Sequence, residues 1–299
     1  MRVFFSPNHI CHSPQTFMSK GQIIKSPEQP ERAAILENAA RTVGHTFIEA
    51  TQHGLKPIED IHDEEYINFL KTAWLLWEAA TDSGSEIIPN IHPGRNMHAK
   101  PKSIISLAGH YQADTACPIG KGTFEGSVAS SDVAVSGAYA IMDDKKNNIE
   151  SNFAYSLCRP PGHHAFSDQA GGFCFFNNSA IAAQTCLNNG AKRVAILDID
   201  VHHGNGTQGI FYDRADVLTI SLHGDPLSYY PFFAGYAEEI GVDEGVGYNI
   251  NYPLPRNTDD AEYLKVLDKA VDKIHVYQPD VLVIALGLDA SIADPLAFL

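Results

Sequence analysis

The sequence has little positive charge, no paired cysteines and no long apolar run. Its 299 residues include 21 lysines and arginines against 36 acidic residues, which gives a formal net charge of -15 at pH 7. Because nucleic acids and anionic membranes bind through basic surfaces, this balance argues against both as partners and favours a small cationic molecule. Neither an export signal nor a run of about 18 apolar residues occurs, so no membrane span is expected.

The five cysteines are odd in number and widely spaced, and no two of them form a Cys-x-x-Cys pair. This pattern predicts neither a disulfide framework nor a thiolate zinc site. We expect buried, reduced thiols in a cytoplasmic protein. With 44% hydrophobic residues, a chain of this length can bury the core of a single enzyme domain.

The spacing of apolar residues predicts the fold class. Runs at residues 193–200, 216–224 and 279–289 are apolar on both faces, as strands of a buried parallel sheet are. Helical spacing marks four further segments, at residues 27–44, 63–84, 126–144 and 177–190. We therefore predict an α/β fold with an open, mostly parallel multi-stranded sheet and helices on both faces.

Acidic and imidazole side chains crowd the ends of two of these strands. On a strand, residues two apart share a face, so Asp198, Asp200 and His202 are expected on one side, where Asp200 and His202 offer zinc an oxygen and a nitrogen. Asp289 ends another strand at the same sheet edge and completes a set that leaves one position open for water. The alternatives are a core histidine at a capped strand end and, for Asp289, a helix cap.

A second pair of imidazoles, His163 and His164, leaves a strand through a rigid Pro-Pro-Gly turn. Neighbouring imidazoles suit proton transfer near neutral pH. The alternative is that adjacent side chains point to opposite sides and only one of them acts.

The segment GGFCFFNN follows this pair. Gly171 and Gly172 let backbone approach a ligand closely. Phe173, beside the glycines, is the better candidate for a pocket wall, whereas Phe175 and Phe176 are expected in the core.

Taken together, the motifs RPPGHHA, GGFCFFNN, DIDVHHGNGTQ, LHGDP and LGLDA, in this order, resemble the arginase–deacetylase fold and its histone deacetylase superfamily. Within that superfamily the chain most resembles bacterial acetylpolyamine amidohydrolases. The similarity extends from Met1 to Leu299. It implies a zinc-dependent hydrolase of acetyl amides, acting on acetylpolyamines.

The resemblance also implies the roles of individual residues. It implies that Asp200, His202 and Asp289 bind zinc and that His163 and His164 are the catalytic residues. It also implies that Asp198 and Asn205 orient the two catalytic imidazoles. A structural potassium ion is held mostly through backbone carbonyls of Asp198, Asp200, His202, Ser221 and Leu222.

Substrate contacts follow from the same resemblance. The carbonyl of Gly172 accepts the substrate amide proton, while Phe173 and Tyr230 flank a tunnel for the alkyl chain; Tyr229 could take the place of Tyr230. Residues 83–123, which show little periodicity, would form a long loop that supports a homodimer and narrows the entrance. Asp114 in this loop would offer an acid to the polyamine, or would be a solvated loop charge.

Other activities are alternatives to the hydrolysis of acetylpolyamines. An acetyl-lysine protein deacetylase would use the same residues, whereas the arginase branch requires two manganese ions and an Asp-x-His-x-Asp order that the sequence lacks. The family's Gly-Gly-Tyr segment with the catalytic tyrosine does not occur in the printed residues. We therefore expect a single deacetylase domain over residues 1–299 without its C-terminal part, which binds metal but turns over poorly, or a catalytically silent acetyl-amine binder.

Overall fold

A computed structural model of the chain describes residues 1–149 and 152–299. The chain divides into two compact units, residues 1–181 and 182–299. Each unit contains parallel strands and helices, so the predicted α/β class is confirmed. Among the described residues, no helix has both the length and the apolar character that a membrane span requires.

The described strands and helices follow one another along the chain in frequent alternation. The strands are β1 (Arg2–Phe5), β2 (Thr16–Ser19), β3 (Gln22–Lys25), β4 (Thr46–Glu49), β5 (Ala154–Ser156), β6 (Val194–Asp198), β7 (Val217–Gly224), β8 (Asn249–Leu254) and β9 (Val281–Ala285). The helices are α1 (Pro30–Thr42), α2 (Lys56–Glu59), α3 (Glu64–Glu78), α4 (Ile104–Tyr111), α5 (Thr123–Lys146), α6 (Asn178–Asn188), α7 (Asn205–Phe211) and α8 (Asp260–Tyr277).

The first unit contains a parallel sheet with the strand order β4-β1-β5. Helix α5 is rich in Ala, Ser, Gly and Val, and most of its residues up to Ala138 are buried. These small residues let the helix approach the sheet closely: a Cβ added to Gly137 would lie 2.3 Å from Ser156 Oγ on β5. The predicted small-residue helix is therefore confirmed, and its composition explains its deep burial.

Residues 83–123 contain more regular structure than their sequence suggested. Helix α4 lies within this segment, and Ser103 caps it by accepting a hydrogen bond from the backbone N–H of Ser106 at 3.3 Å. Ile87 and Ile119 pair as an isolated antiparallel bridge near the two ends of the segment. The helix was not visible in the sequence because a single helix of eight residues is too short to show a clear period.

The second unit contains a parallel sheet with the strand order β8-β7-β6-β9. Every residue of β6 and β7 is buried, as predicted for the central strands of such a sheet. The prediction was wrong for β9, where Leu282 is 42% and Ile284 51% exposed. Among the described residues β9 pairs with β6 alone, so it is an edge strand whose apolar sequence does not imply burial.

His62 in the first unit is a buried, neutral histidine that makes the fold sensitive to acid. Its Nε2 accepts the N–H of Asn177 at 2.9 Å, and its Nδ1 lies 3.3 Å from the carbonyl oxygen of Ser167. Burial lowers the pKa of His62 to about 4, because the charged imidazolium would lose its hydration. The fold therefore binds fewer protons here than the unfolded chain does.

We expect the first unit to lose stability as the pH falls from 6.5 towards 4. Because the folded pKa lies below the unfolded value of 6.5, the contribution of His62 is complete above pH 6.5 and declines by up to about 3 kcal/mol as the pH falls to 4. His62→Gln should be less stable than the wild type at pH 7 but decline less steeply in acid. Urea unfolding at a series of pH values measures the free energy of unfolding of the two proteins. Parallel declines in the wild type and in His62→Gln would contradict the role of His62. Some slope should remain, because burial also lowers the pKa of His12 to about 3.

Candidate metal centre

Two carboxylates and one imidazole meet in the second unit. Nδ1 of His202 lies 3.0 Å from Oδ1 of Asp200 and 2.9 Å from Oδ2 of Asp289. Among the described residues, these three are the group of histidine, cysteine and acidic side chains whose ligand atoms lie close enough to share a metal ion, all within 4.8 Å of one another. The three residues that the sequence singled out are therefore brought together.

The cluster is built by turns after β6 rather than by the alternation of a strand, as the sequence argument assumed. Strand β6 ends at Asp198, whose Oδ1 accepts the backbone N–H of Asp200 at 3.1 Å. Oδ1 of Asp200 in turn accepts the N–H of His202 at 2.8 Å, and Oδ1 of Asp289 accepts the N–H of Val201 at 3.0 Å. Aspartates often fold the chain in this way, by binding backbone donors two residues ahead.

The electrostatics of the cluster suit a cation. Burial lowers the pKa of His202, but the hydrogen bonds and charges of Asp200 and Asp289 outweigh burial and raise it to about 9. Two oxygen ligands and one nitrogen ligand with these neighbours match the donor set of a catalytic zinc site. The residues present therefore fit a zinc ion.

Two further features shape the surroundings of the cluster. A Cβ added to Gly287 would lie 2.3 Å from Oδ2 of Asp200, so only glycine fits at this position. The ring of Tyr229 stacks on the imidazole of His202 at 4.9 Å between centroids and 16° between planes, whereas Tyr230 meets it edge-on at 6.1 Å. Both tyrosines that the sequence left as alternatives thus lie beside His202.

The residues predicted to hold potassium lie on or just after the central strands. Asp198 and Ser221 are paired across β6 and β7, and Leu222 follows on β7. Oγ of Ser221 lies 2.8 Å from Nδ1 of the buried His223. Asn205 is the first residue of α7 and is buried.

His163 and His164 lie together in the first unit. Both are buried, and their ring centroids are 4.0 Å apart with 43° between the planes. The two imidazoles therefore do not point to opposite sides of the chain, and the prediction of a neighbouring pair is the better description.

Two asparagines support the backbone on either side of this pair. Nδ2 of Asn178 donates to the carbonyl of Pro160 at 3.1 Å, and Nδ2 of Asn177 donates to the carbonyl of Ala165 at 3.0 Å. These roles were not predicted from the sequence, although two adjacent amides before a helix were a visible signal. Phe175 and Phe176 are almost fully buried, as predicted for core residues.

The glycine turn also lies in the first unit. Gly172 is buried and Phe173 partly exposed, and a Cβ added to Gly172 would lie 2.2 Å from Cδ2 of His164. Asp114 binds the backbone of this turn, since its Oδ2 accepts the N–H of Gly172 at 3.0 Å. The two residues are 58 positions apart, and no sequence signal joined them.

Comparison with known proteins extends these observations. The family model of the histone deacetylase domain matches residues 26–299 of this chain. Acetylpolyamine amidohydrolase 2 of Pseudomonas aeruginosa is 42% identical over 99% of this chain and 85% of the relative. A crystal structure of acetylpolyamine aminohydrolase from Burkholderia pseudomallei superposes with a TM-score of 0.94 at 40% identity, covering 100% of this chain and 85% of that chain.

A solved structure of lower sequence identity also shares the fold. A histone deacetylase homologue from Aquifex aeolicus gives a TM-score of 0.72 at 28% identity, covering 99% of this chain and 70% of that one. The matches confirm the resemblance that the sequence motifs indicated.

Proposed function

The chain belongs to the histone deacetylase family and is a hydrolase that acts on amide bonds; on this premise we propose that it removes acetyl groups from polyamines with a zinc ion. The observation that carries the proposal is the cluster of Asp200, His202 and Asp289, whose ligand atoms lie within 4.8 Å of one another. Two carboxylates and one imidazole leave room in a tetrahedral site for one exchangeable ligand. This arrangement is typical of catalytic rather than structural zinc.

One of the two buried imidazoles transfers the protons in this proposal, and the other adjusts its charge. When bound, zinc would supply Lewis acidity that polarises the acetyl carbonyl and lowers the pKa of a water molecule, so that this water loses a proton more easily and becomes a better nucleophile. In the proposal, His164 accepts a proton from the attacking water and later donates one to the leaving amine. His163 adjusts the charge of its neighbour across a ring separation of 4.0 Å. Asp198 and Asn205 orient the pair in this account.

Acetylpolyamines are the substrates that we favour over acetylated proteins. The proteins from Pseudomonas aeruginosa, Burkholderia pseudomallei and Mycoplana ramosa that are 40–42% identical to this chain carry the name acetylpolyamine amidohydrolase. A net charge of -15 also attracts a polycation and so raises its local concentration. Gly172, Phe173 and Tyr230 would contact the acetylated end of the substrate.

The remaining family features belong to the same proposal. Potassium would be a structural ion, held by the residues at the ends of β6 and β7 and in the turns that follow β6. Residues 83–123 would support a homodimer, with the loop narrowing the entrance to the site.

Acetyl release tests the choice of substrate. Zinc-loaded protein should release acetate from acetylputrescine and acetylspermidine with a higher kcat/KM than from an acetyl-lysine peptide, because the net negative charge of the chain attracts the free ammonium groups of these small cations. Raising the ionic strength should reduce this preference. A higher kcat/KM on the peptide would contradict the polyamine assignment while leaving amide hydrolysis intact.

A further inference from the structure

Asp114 packs directly on the glycine turn. Its Oδ2 accepts the N–H of Gly172 at 3.0 Å, and its Oδ1 accepts the N–H of Ala116 at 2.8 Å. A Cβ added to Gly171 would lie 3.4 Å from the same Oδ2. Both carboxylate oxygens of Asp114 therefore accept hydrogen bonds from backbone N–H groups of the first unit. One donor lies two residues after Asp114, and the other lies in the distant glycine turn.

The turn that Asp114 holds has an unfavourable backbone. Gly171 and Cys174 exchange two backbone hydrogen bonds of 3.0 and 2.7 Å, and the two residues between them are both left-handed, with φ of 49° at Gly172 and 71° at Phe173. This conformation suits glycine but disfavours a bulky side chain such as that of Phe173. Strained backbone of this kind persists where surrounding contacts fix it, and it is common at binding sites.

The turn connects several groups that the proposed reaction uses. The Phe173 ring packs on Phe17 with 5.4 Å between centroids. The Gly172 carbonyl oxygen lies 3.4 Å from Sγ of Cys174, and the Gly172 Cα faces the ring of His164 so closely that no Cβ fits between them. A change in the turn would therefore move the Gly172 carbonyl and the Phe173 ring together, next to His164.

We propose that Asp114 is a positioning residue: its carboxylate holds the turn of residues 171–174 in the left-handed conformation and thereby places the Gly172 carbonyl and the Phe173 ring for the substrate. A charged acceptor is suited to this task, because hydrogen bonds to ionised groups are stronger than those between neutral ones. The role differs from that of an entrance acid that binds the distal ammonium of a polyamine. The effect that this role has on kcat/KM rests on the proposed function, because it requires the chain to hydrolyse acetylated amines.

Two substrates of equal length distinguish these roles. Acetylputrescine carries a distal ammonium, whereas N-pentylacetamide has a methyl group in its place. If Asp114 positions the turn, Asp114→Asn lowers kcat/KM by the same factor on both, about tenfold to 100-fold, since a charged hydrogen bond is lost whichever substrate is bound. Most of the loss should be in kcat, because a displaced turn misorients the amide. A loss confined to acetylputrescine would overturn the proposal in favour of the entrance acid, and unchanged rates on both would overturn it as well.

Amide hydrogen exchange provides a test that needs no turnover. The Gly172 amide should exchange at least about tenfold faster in Asp114→Asn and in Asp114→Ala than in the wild type, because its acceptor is weakened or removed. Asp82→Asn, at an exposed position with φ of 59° that asparagine tolerates, is the matched control and should leave this exchange unchanged. Thermal unfolding of each variant reports whether it folds. If the wild type hydrolyses neither substrate, the proposed function fails. Unchanged exchange of the Gly172 amide in the Asp114 variants would separately overturn the positioning role of Asp114.

Discussion

Replacing Asp289 with asparagine is expected to lower the affinity for zinc at least about 100-fold. Loss of a group that only supports a metal ligand typically costs 10-fold to 100-fold, and Asp289 is itself a proposed ligand. Asparagine keeps the size of the side chain, and its carbonyl oxygen can still accept the N–H of Val201, as Oδ1 of Asp289 does at 3.0 Å. The local fold should therefore persist while the negative charge facing His202 is lost. Acetyl release at limiting zinc should fall in parallel.

A zinc-buffered titration, with the bound metal measured by mass spectrometry, checks this expectation. Asp268→Asn is the matched control, since Asp268 is an exposed residue of α8 in the same unit. The control should bind one zinc ion per chain like the wild type. Equal zinc affinity in Asp289→Asn and Asp268→Asn would show that Asp289 is not a ligand of the metal. A large loss of affinity in the control would show that zinc binding responds to the net charge of the protein.

The second large effect is expected for His164. His164→Ala should lower kcat about 10²-fold to 10⁴-fold, the usual contribution of a general base or acid, while zinc binding stays at the wild-type level. His164 is not a proposed ligand, so its removal separates proton transfer from metal binding. His163→Ala should have a smaller effect, because in the proposal its imidazole adjusts charge and does not carry the proton.

Single-turnover rates on acetylputrescine, measured with saturating zinc, compare the two variants. His275→Ala, an exposed histidine in the last turn of α8, serves as the control for loss of an imidazole. Wild-type rates in His164→Ala would contradict its role. If His163→Ala instead shows the larger loss, the two imidazoles must exchange their assignments.

The sequence was sufficient wherever a feature depends on neighbouring residues. Strands β6 and β7 are buried at every position, and their runs of Val, Ile and Leu identified them directly. His163 and His164 are adjacent in the chain, so a pair of rings 4.0 Å apart needs only a rigid turn to form. The cluster of Asp200 and His202 is similarly local.

Other features depended on contacts that the sequence does not record. The strand alternation assumed for Asp198, Asp200 and His202 is absent, because aspartate side chains bind the backbone and turn the chain after β6. The hairpin of β2 and β3 has an exposed second strand, so no burial pattern marked it. The contact of Asp114 with Gly172 joins residues 58 positions apart, and only the folded chain brings them together.

The exposure of β9 follows the same logic. Val281–Ala285 have the apolar composition of a buried strand, yet half-exposed and exposed residues alternate along it. Apolar composition reports what a strand could bury, whereas its neighbours in the sheet decide what it does bury. Among the described residues β9 has β6 on one side, which accounts for the difference.

The most direct test of the account is the dependence of acetate release on added zinc. Protein stripped with a chelator is titrated with zinc, and acetate released from acetylputrescine is measured at each step. We expect the rate to rise from near zero and to saturate at one zinc ion per chain, because Asp200, His202 and Asp289 form one site. A rate that does not respond to zinc, or that saturates only at two ions per chain, would contradict the single open zinc site.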